Sequence, residues 1–200
     1  MWEPPMSVPP YHEIYVSMER ARLLNLATRD GLTGLYVVGH ARLLLEAEIV
    51  EAIRLRSPLI IIMADVDHFK KVNDAWGHPV GDFVLKETAR ILQASCRELD
   101  IVGRYGGEEF ILVLPDTGLH AAKGVAERIR ATVERHPFTH AGRDYTVTLS
   151  LGLAEFSQFD TAADLIKRAD DALYVAKRGG RNRVCEADSA VKPVKTTILG

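Results

Sequence analysis

The segment Arg104-Tyr-Gly-Gly-Glu-Glu-Phe110 places two carboxylates directly after two glycines. Apolar runs flank it, Ile101-Val102 before and Phe110 to Leu114 after. Glycine takes positive φ without steric cost, so Gly106-Gly107 predicts a hairpin turn. Glu108 and Glu109 then sit at the tip or one residue inside it. Carboxylates presented there suit a hard cation such as Mg²⁺. An isolated run of this kind is more often a solvated acidic turn. Asp65 changes that weighing. It closes Leu59-Ile-Ile-Ile-Met-Ala64, a continuous β-branched apolar run that reads as a buried central strand. If this strand neighbours the hairpin, carboxylates distant in sequence converge. Alone, Asp65 reads as a strand-end acid capping the next helix.

The elements that must position these groups follow from periodicity. Residues 1–10 contain four prolines and no pattern, and are expected to be disordered. Tyr11 to Thr28 reads as a helix about two heptads long, either packed on its own domain or ending a signalling helix. Helices are expected at His40–Leu55, Phe69–Asp74, Pro79–Leu99, Gly118–Glu134 and Thr161–Lys177. Tyr145, Val147, Leu149, Leu151 and Leu153 alternate with small or polar residues, predicting a half-buried strand. A last short strand is expected near Asn182–Cys185. The order is β-α-β-β-α-β, an α/β (α+β sandwich) domain with one core sheet covered by helices. It leads in from a linker helix at 11–29, occupies 30–186 and ends in a tail at 187–200.

Composition narrows the classes. Two hundred residues suit a single domain with a core. A net charge of −2 gives no support for a nucleic-acid surface. The longest apolar run, Leu59 to Ala64, is too short to span a bilayer, and no signal-peptide pattern opens the chain. Cys96 and Cys185 have no metal-like spacing, which makes a reduced, cytoplasmic setting the default. The seven histidines form no HExxH pair, so zinc chemistry has no support.

Further motifs stand in a fixed order from about Asp30 to Val184. They are Asp30-Gly-Leu-Thr-Gly-Leu35; Asp65-Val-Asp-His-Phe-Lys70 with Asn73-Asp74, Gly77-His78 and Gly81-Asp82; Arg97-Glu-Leu-Asp100; and Ala169-Asp170, Ala172-Leu-Tyr174, Ala176-Lys177, Gly180-Arg-Asn182. With the GGEEF run, they resemble the signature blocks of the GGDEF family, the diguanylate cyclases. Tyr36-Val-Val-Gly-His40 departs from the Asn-Arg-Arg-like stretch that usually follows LTGL.

The resemblance implies a fold close to nucleotidyl cyclases and polymerase palm domains. It implies condensation of two GTP into cyclic di-GMP with release of two pyrophosphates. Metal would be held by Asp65, the Val66 carbonyl and Glu108, with Glu109 also catalytic. Two Mg²⁺ per site are implied, Mn²⁺ being able to substitute. GTP contacts would come from Phe69, Lys70, Asn73, His78, Asp82, Gly106, Gly107, Lys177 and Arg181. Asn73 and Asp82 match the guanine-reading pair: a carboxylate accepts from guanine N1–H and the 2-amino group, donors that adenine lacks there. Asp82 also reads as an acid at the start of its helix. Lys177 suits phosphate, and equally a helix C-terminus. Arg97 and Asp100, with Arg128 as a secondary contact, match the family's product-inhibition site, and at i,i+3 they also read as a surface ion pair. Two half-sites must meet, implying an at least transient homodimer. The alternatives are a silent cyclic di-GMP receptor, against which Asp65, Glu108 and Glu109 argue, and a cyclase of relaxed base choice, against which Asp82 argues.

Overall fold

The structure, a computed structural model, describes residues 15–19, 22–23 and 27–188. Backbone at 15–19, 22–23 and 27–28 is helical; the rest of the expected 11–28 helix, the proline-rich start and most of the tail lie outside the described residues. Eight strands and five helices follow: β1 Tyr36–Val37, α1 Val38–Leu55, β2 Leu59–Val66, α2 Phe69–Trp76, α3 His78–Ser95, β3 Ile101–Arg104, β4 Glu109–Pro115, α4 Leu119–Arg135, β5 Phe138–His140, β6 Arg143–Tyr145, β7 Leu149–Glu155, α5 Ala162–Arg178 and β8 Val184–Glu186. Six strands form one mixed sheet in the order β1-β3-β4-β2-β7-β8, and β5 and β6 form a separate hairpin. Among the described residues no helix is long and apolar enough to cross a membrane.

The all-apolar run at 59–64 is explained by its place. β2 lies between β4 and β7, antiparallel to both, and every one of its residues is buried. One face, carrying Ile60, Ile62, Ala64 and Val66, packs against α3 and α4 through Val84, Leu92, Ala126 and Ile129. The other, carrying Leu59, Ile61 and Met63, packs against α1 and α5 through Leu45, Ile49, Leu165 and Leu173. Strand alternation therefore sends Asp65 to the α1/α5 face. α5 starts at a reciprocal capping box between Thr161 and Asp164.

Four expectations need correction. The strand expected from Tyr145 starts at Leu149, because Tyr145 pairs with Phe138 in the small hairpin and the carbonyl of Thr148 is taken by the Asp67 N–H. β7 is not half-buried either: its small residues lie under a helix, not in water. A Cβ on Gly152 would stand 2.1 Å from the Leu173 nitrogen and 2.2 Å from the Ala169 carbonyl oxygen, so the alternation records close approach of α5. The helix expected to reach Leu99 ends at Ser95, where Cys96 turns to extended backbone. Gly106 and Gly107 do not adopt positive φ. The turn closes instead by N–H bonds from Tyr105 and Gly106 to the Glu109 carbonyl, at 2.7 and 3.2 Å. A Cβ at 106 would come 2.5 Å from the Glu109 carboxylate, so any larger residue there must displace that side chain.

Candidate active site

The register of β2 on β4 sets Asp65 directly opposite Glu109, on one face of the sheet. The Val66 N–H reaches the Glu108 carbonyl at 3.3 Å, so the ladder continues to the base of the turn. The Lys177 ammonium, in the last turn of α5, stands 2.7 Å from Asp65 Oδ2. Burial pushes the Asp65 carboxyl up to about 6; Lys177 opposes this, and the charges of Glu108 and Glu109 add to it. Lys177, expected at phosphate, is here the countercharge of a buried carboxylate.

A divalent cation fits this donor set. Three carboxylates against one ammonium leave excess negative charge, and the buried Asp65 carboxyl, raised by its burial and by the neighbouring Glu108 and Glu109, is the group a cation would relieve most. Among the described residues no three Asp, Glu, His or Cys groups already surround a common point. A metal held by Asp65 and Glu108 must complete its shell with backbone and ligand oxygens.

The end of β2 is tied to the far end of the chain by Asp67, a buried residue that motif reading passed over. Its carboxylate accepts from Thr148 Oγ1 and Ser150 Oγ, each at 2.7 Å, and from the Asn182 N–H at 3.0 Å. Asn182 is held a second time, by Glu134 and Arg130, at 2.7 and 2.9 Å. Gly180, Arg181 and Asn182 all have positive φ, at 115°, 64° and 45°. Two consecutive non-glycine residues in that region are costly, and such backbone persists only where neighbours over-determine it. These bonds do so, and they place Arg181, whose guanidinium has no hydrogen bond or ion pair among the described residues. The first turn of α2 follows His68 without a side-chain cap, so no side chain satisfies its opening N–H groups.

Asn73 Oδ1 is buried without a hydrogen-bond partner. It lies where a Cβ on residue 81 would be, 1.9 Å away, so Gly81 is what admits the amide. Asp82, the next residue, is exposed and makes no hydrogen bond or ion pair among the described residues. It does not cap α3 either: Gly77 is the N-cap, and the first turn carries no acid. A buried orphan acceptor beside a free carboxylate matches a purine edge rich in donors. Phe69, by contrast, is 7% exposed and packed in the core, its ring tip 3.1 Å from where a Cβ on Gly81 would stand. His78 and Lys70 are exposed.

The hairpin is clamped from outside. Arg104 donates to the Gly107 carbonyl at 2.7 Å and the Gly106 carbonyl at 3.2 Å, while its Nη1 bonds both oxygens of Asp30 at 3.1 and 3.2 Å. Burial raises the Asp30 carboxyl, but bonds from Thr33 and Arg104 bring it below the usual carboxylate range. The DGLTGL turn and the GGEEF turn are thus one unit, a link across 74 residues.

Arg97 and Asp100 are not a side-chain ion pair. They form a tight turn after α3, with Asp100 Oδ2 accepting the Arg97 backbone N–H at 2.7 Å. Arg97 and Asp100 line a cavity of about 330 Å³. Arg128 lies apart from its walls and donates to the Ser95 carbonyl at 2.9 Å. Cys96 lines the same cavity, but burial, then Asp100, push its thiol up to about 12, which excludes it as a nucleophile.

A helix-covered mixed sheet with strand-end and hairpin carboxylates converging beside a lysine defines the class, a nucleotidyl-cyclase-like α/β domain. The family model "Diguanylate cyclase, GGDEF domain" matches residues 27–183, and the chain belongs to that family. It is 38% identical over 173 residues to Diguanylate cyclase A of Treponema denticola, covering 84% of this chain and 47% of that protein. It is 44% identical over 164 residues to the response regulator PleD of Caulobacter vibrioides, covering 80% and 36%. The chain thus spans less than half the length of these curated relatives. The GGDEF domain of DgcB from Caulobacter crescentus, solved in complex with c-di-GMP, superposes with a TM-score of 0.79 at 35% identity, covering 82% of this chain and 97% of that one.

Proposed function

We propose that this chain is a diguanylate cyclase, joining two GTP molecules into cyclic di-GMP with release of two pyrophosphates. The observation that carries the reading is the convergence of Asp65, Glu109, Glu108 and Lys177 at the end of β2. Asp65 and Glu108, with the Val66 carbonyl, would hold the metal, two Mg²⁺ in the full site with Mn²⁺ able to replace them. The metal, when bound, supplies Lewis acidity toward the attacking hydroxyl and the leaving phosphate.

The protein's own groups do the rest. Asn73 and Asp82 read the guanine edge. The free N–H groups at the start of α2, with Arg181, grip the triphosphate, arginine as a two-pronged donor. Lys177, 2.7 Å from Asp65, stands ready to neutralise a phosphate oxygen brought beside that carboxylate. The 3′-hydroxyl of one GTP attacks the α-phosphorus of the other, its proton passes to solvent through the carboxylate cluster, and pyrophosphate departs in line. Each domain presents one nucleotide, so two copies face each other at least transiently. Product accumulating in the RxxD cavity inhibits the reaction.

Incubation with GTP and Mg²⁺, with the product identified by chromatography and mass spectrometry, tests this. Glu108→Ala should abolish synthesis while keeping the circular-dichroism spectrum. A folded Glu108→Ala protein with full activity refutes the assignment. Binding of cyclic di-GMP without turnover of GTP by the wild type identifies a silent receptor instead.

A further inference from the structure

The cavity beside Arg97 and Asp100 has a second wall that the RxxD motif does not supply. Arg29, at the opening of the domain, and Tyr36, in β1, line it together with Gln93 and Val102. The Arg29 guanidinium carbon lies 3.7 Å from the centroid of the Tyr36 ring. That ring meets His40 on the following helix at 5.0 Å and 48°. Tyr36 is anchored in β1, opposite Gly103 of β3. Arg29 therefore holds its guanidinium over the face of an aromatic ring fixed in β1, a cation–π contact that uses none of its N–H donors. Its one hydrogen bond is long, 3.4 Å to the Gly34 carbonyl.

Neither Arg29 nor Arg97 has a carboxylate partner among the described residues, although Glu98 and Asp100 line the same cavity. Asp100 turns one oxygen to the Arg97 backbone. Two unpaired guanidinia and two carboxylates face one hollow of about 330 Å³. That set suits a ligand carrying two phosphodiesters and guanine N–H edges.

We propose that Arg29, positioned by Tyr36, is the second phosphate-binding arginine of this cavity, so that a cyclic dinucleotide held by Arg97 also grips the segment entering the domain. The proposal rests on the reading of the RxxD cavity as a dinucleotide site. It makes the departure of Tyr36–His40 from the family pattern a feature of that site. It also gives binding a physical route to the catalytic hairpin, because Asp30, next in the chain, is bonded to Arg104.

The test is calorimetry with cyclic di-GMP on the full chain, with melting curves for every variant. Arg29→Ala should weaken binding about tenfold or more, the loss expected for one charged hydrogen-bond donor. Tyr36→Phe keeps the stack and should bind like the wild type; Tyr36→Ser should lose affinity as Arg29→Ala does. Wild-type affinity in folded Arg29→Ala, alongside lost affinity in Arg97→Ala, overturns this inference and leaves the RxxD reading intact. Wild-type affinity in Arg97→Ala overturns both. If Arg29→Ala melts too low to titrate, Arg29→Lys and Arg29→Gln decide: tighter binding by the lysine variant supports a charge contact, and equal binding refutes it.

Discussion

Replacing Asp65 by asparagine should make the protein more stable and inactive at once. The carboxyl titrates at about 6 in the folded state, against an ordinary 3.8. Its side chain is only 7% exposed, so little solvent screening tempers the effect. A folded-state pKa above the unfolded one means that the folded chain holds the proton more tightly. The stability tied to the protonated form is fully present below pH 3.8 and is lost as pH rises through 6. Roughly two pKa units at about 1.4 kcal/mol each place the cost of the ionised group at pH 8 at about 3 kcal/mol, net of the Lys177 attraction. Asparagine has the shape of the protonated acid and never ionises. Urea denaturation should show Asp65→Asn about 3 kcal/mol more stable than wild type at pH 8 and nearly equal to it at pH 4. Added Mg²⁺ should raise the wild-type midpoint and leave the variant unmoved. A variant no more stable at pH 8, or a gap that ignores pH, refutes the view that Asp65 is a strained carboxylate awaiting a cation.

Asp82→Ser should narrow the preference for GTP over ATP by about tenfold or more, since one charged acceptor is removed from the guanine edge; an unchanged ratio in competition assays shows that Asp82 does not read the base. Asp67→Ala frees the Asn182 N–H and two hydroxyls, so KM for GTP should rise about tenfold as the Arg181 segment loosens; a wild-type KM in the folded variant refutes the latch. Gly152→Ala drives a methyl into the backbone of α5 and should cost about 3 kcal/mol or more, a drop in melting temperature of about 6–12 °C for a domain of this size; a wild-type melting curve shows that α5 can shift away.

What the chain disclosed before its fold was known depended on whether a property is local. The acidic hairpin and the buried strand ending in Asp65 were legible because glycines, carboxylates and an apolar run are adjacent in sequence, and the register then brought them together. Asn73 and Asp82 were legible only through motif order; what explains Asn73 physically is the missing Cβ of Gly81, visible only in three dimensions. Asp67 escaped notice because its partners lie 81, 83 and 115 residues away. Arg104 escaped because its partner, Asp30, belongs to another motif. The strand at 145–153 was misread for a related reason: alternation of large and small residues looks the same whether the small side faces water or a tightly packed helix. The helix at 79–95 was drawn too long because Arg97-Glu-Leu-Asp100 has no helix breaker, and only the Asp100 carboxylate bonding back to the Arg97 N–H marks the turn.

The bond between Asp67 and the Asn182 peptide joins groups 115 residues apart, and it bears on the order in which the chain is made. A ribosome delivers the strand, the hairpin and all three carboxylates well before the turn that carries Arg181. Until that turn emerges, Asp67 lacks one of its donors. A nascent chain therefore displays its acids before the loop that carries Arg181 is locked to the end of β2 and before β8 can pair with β7.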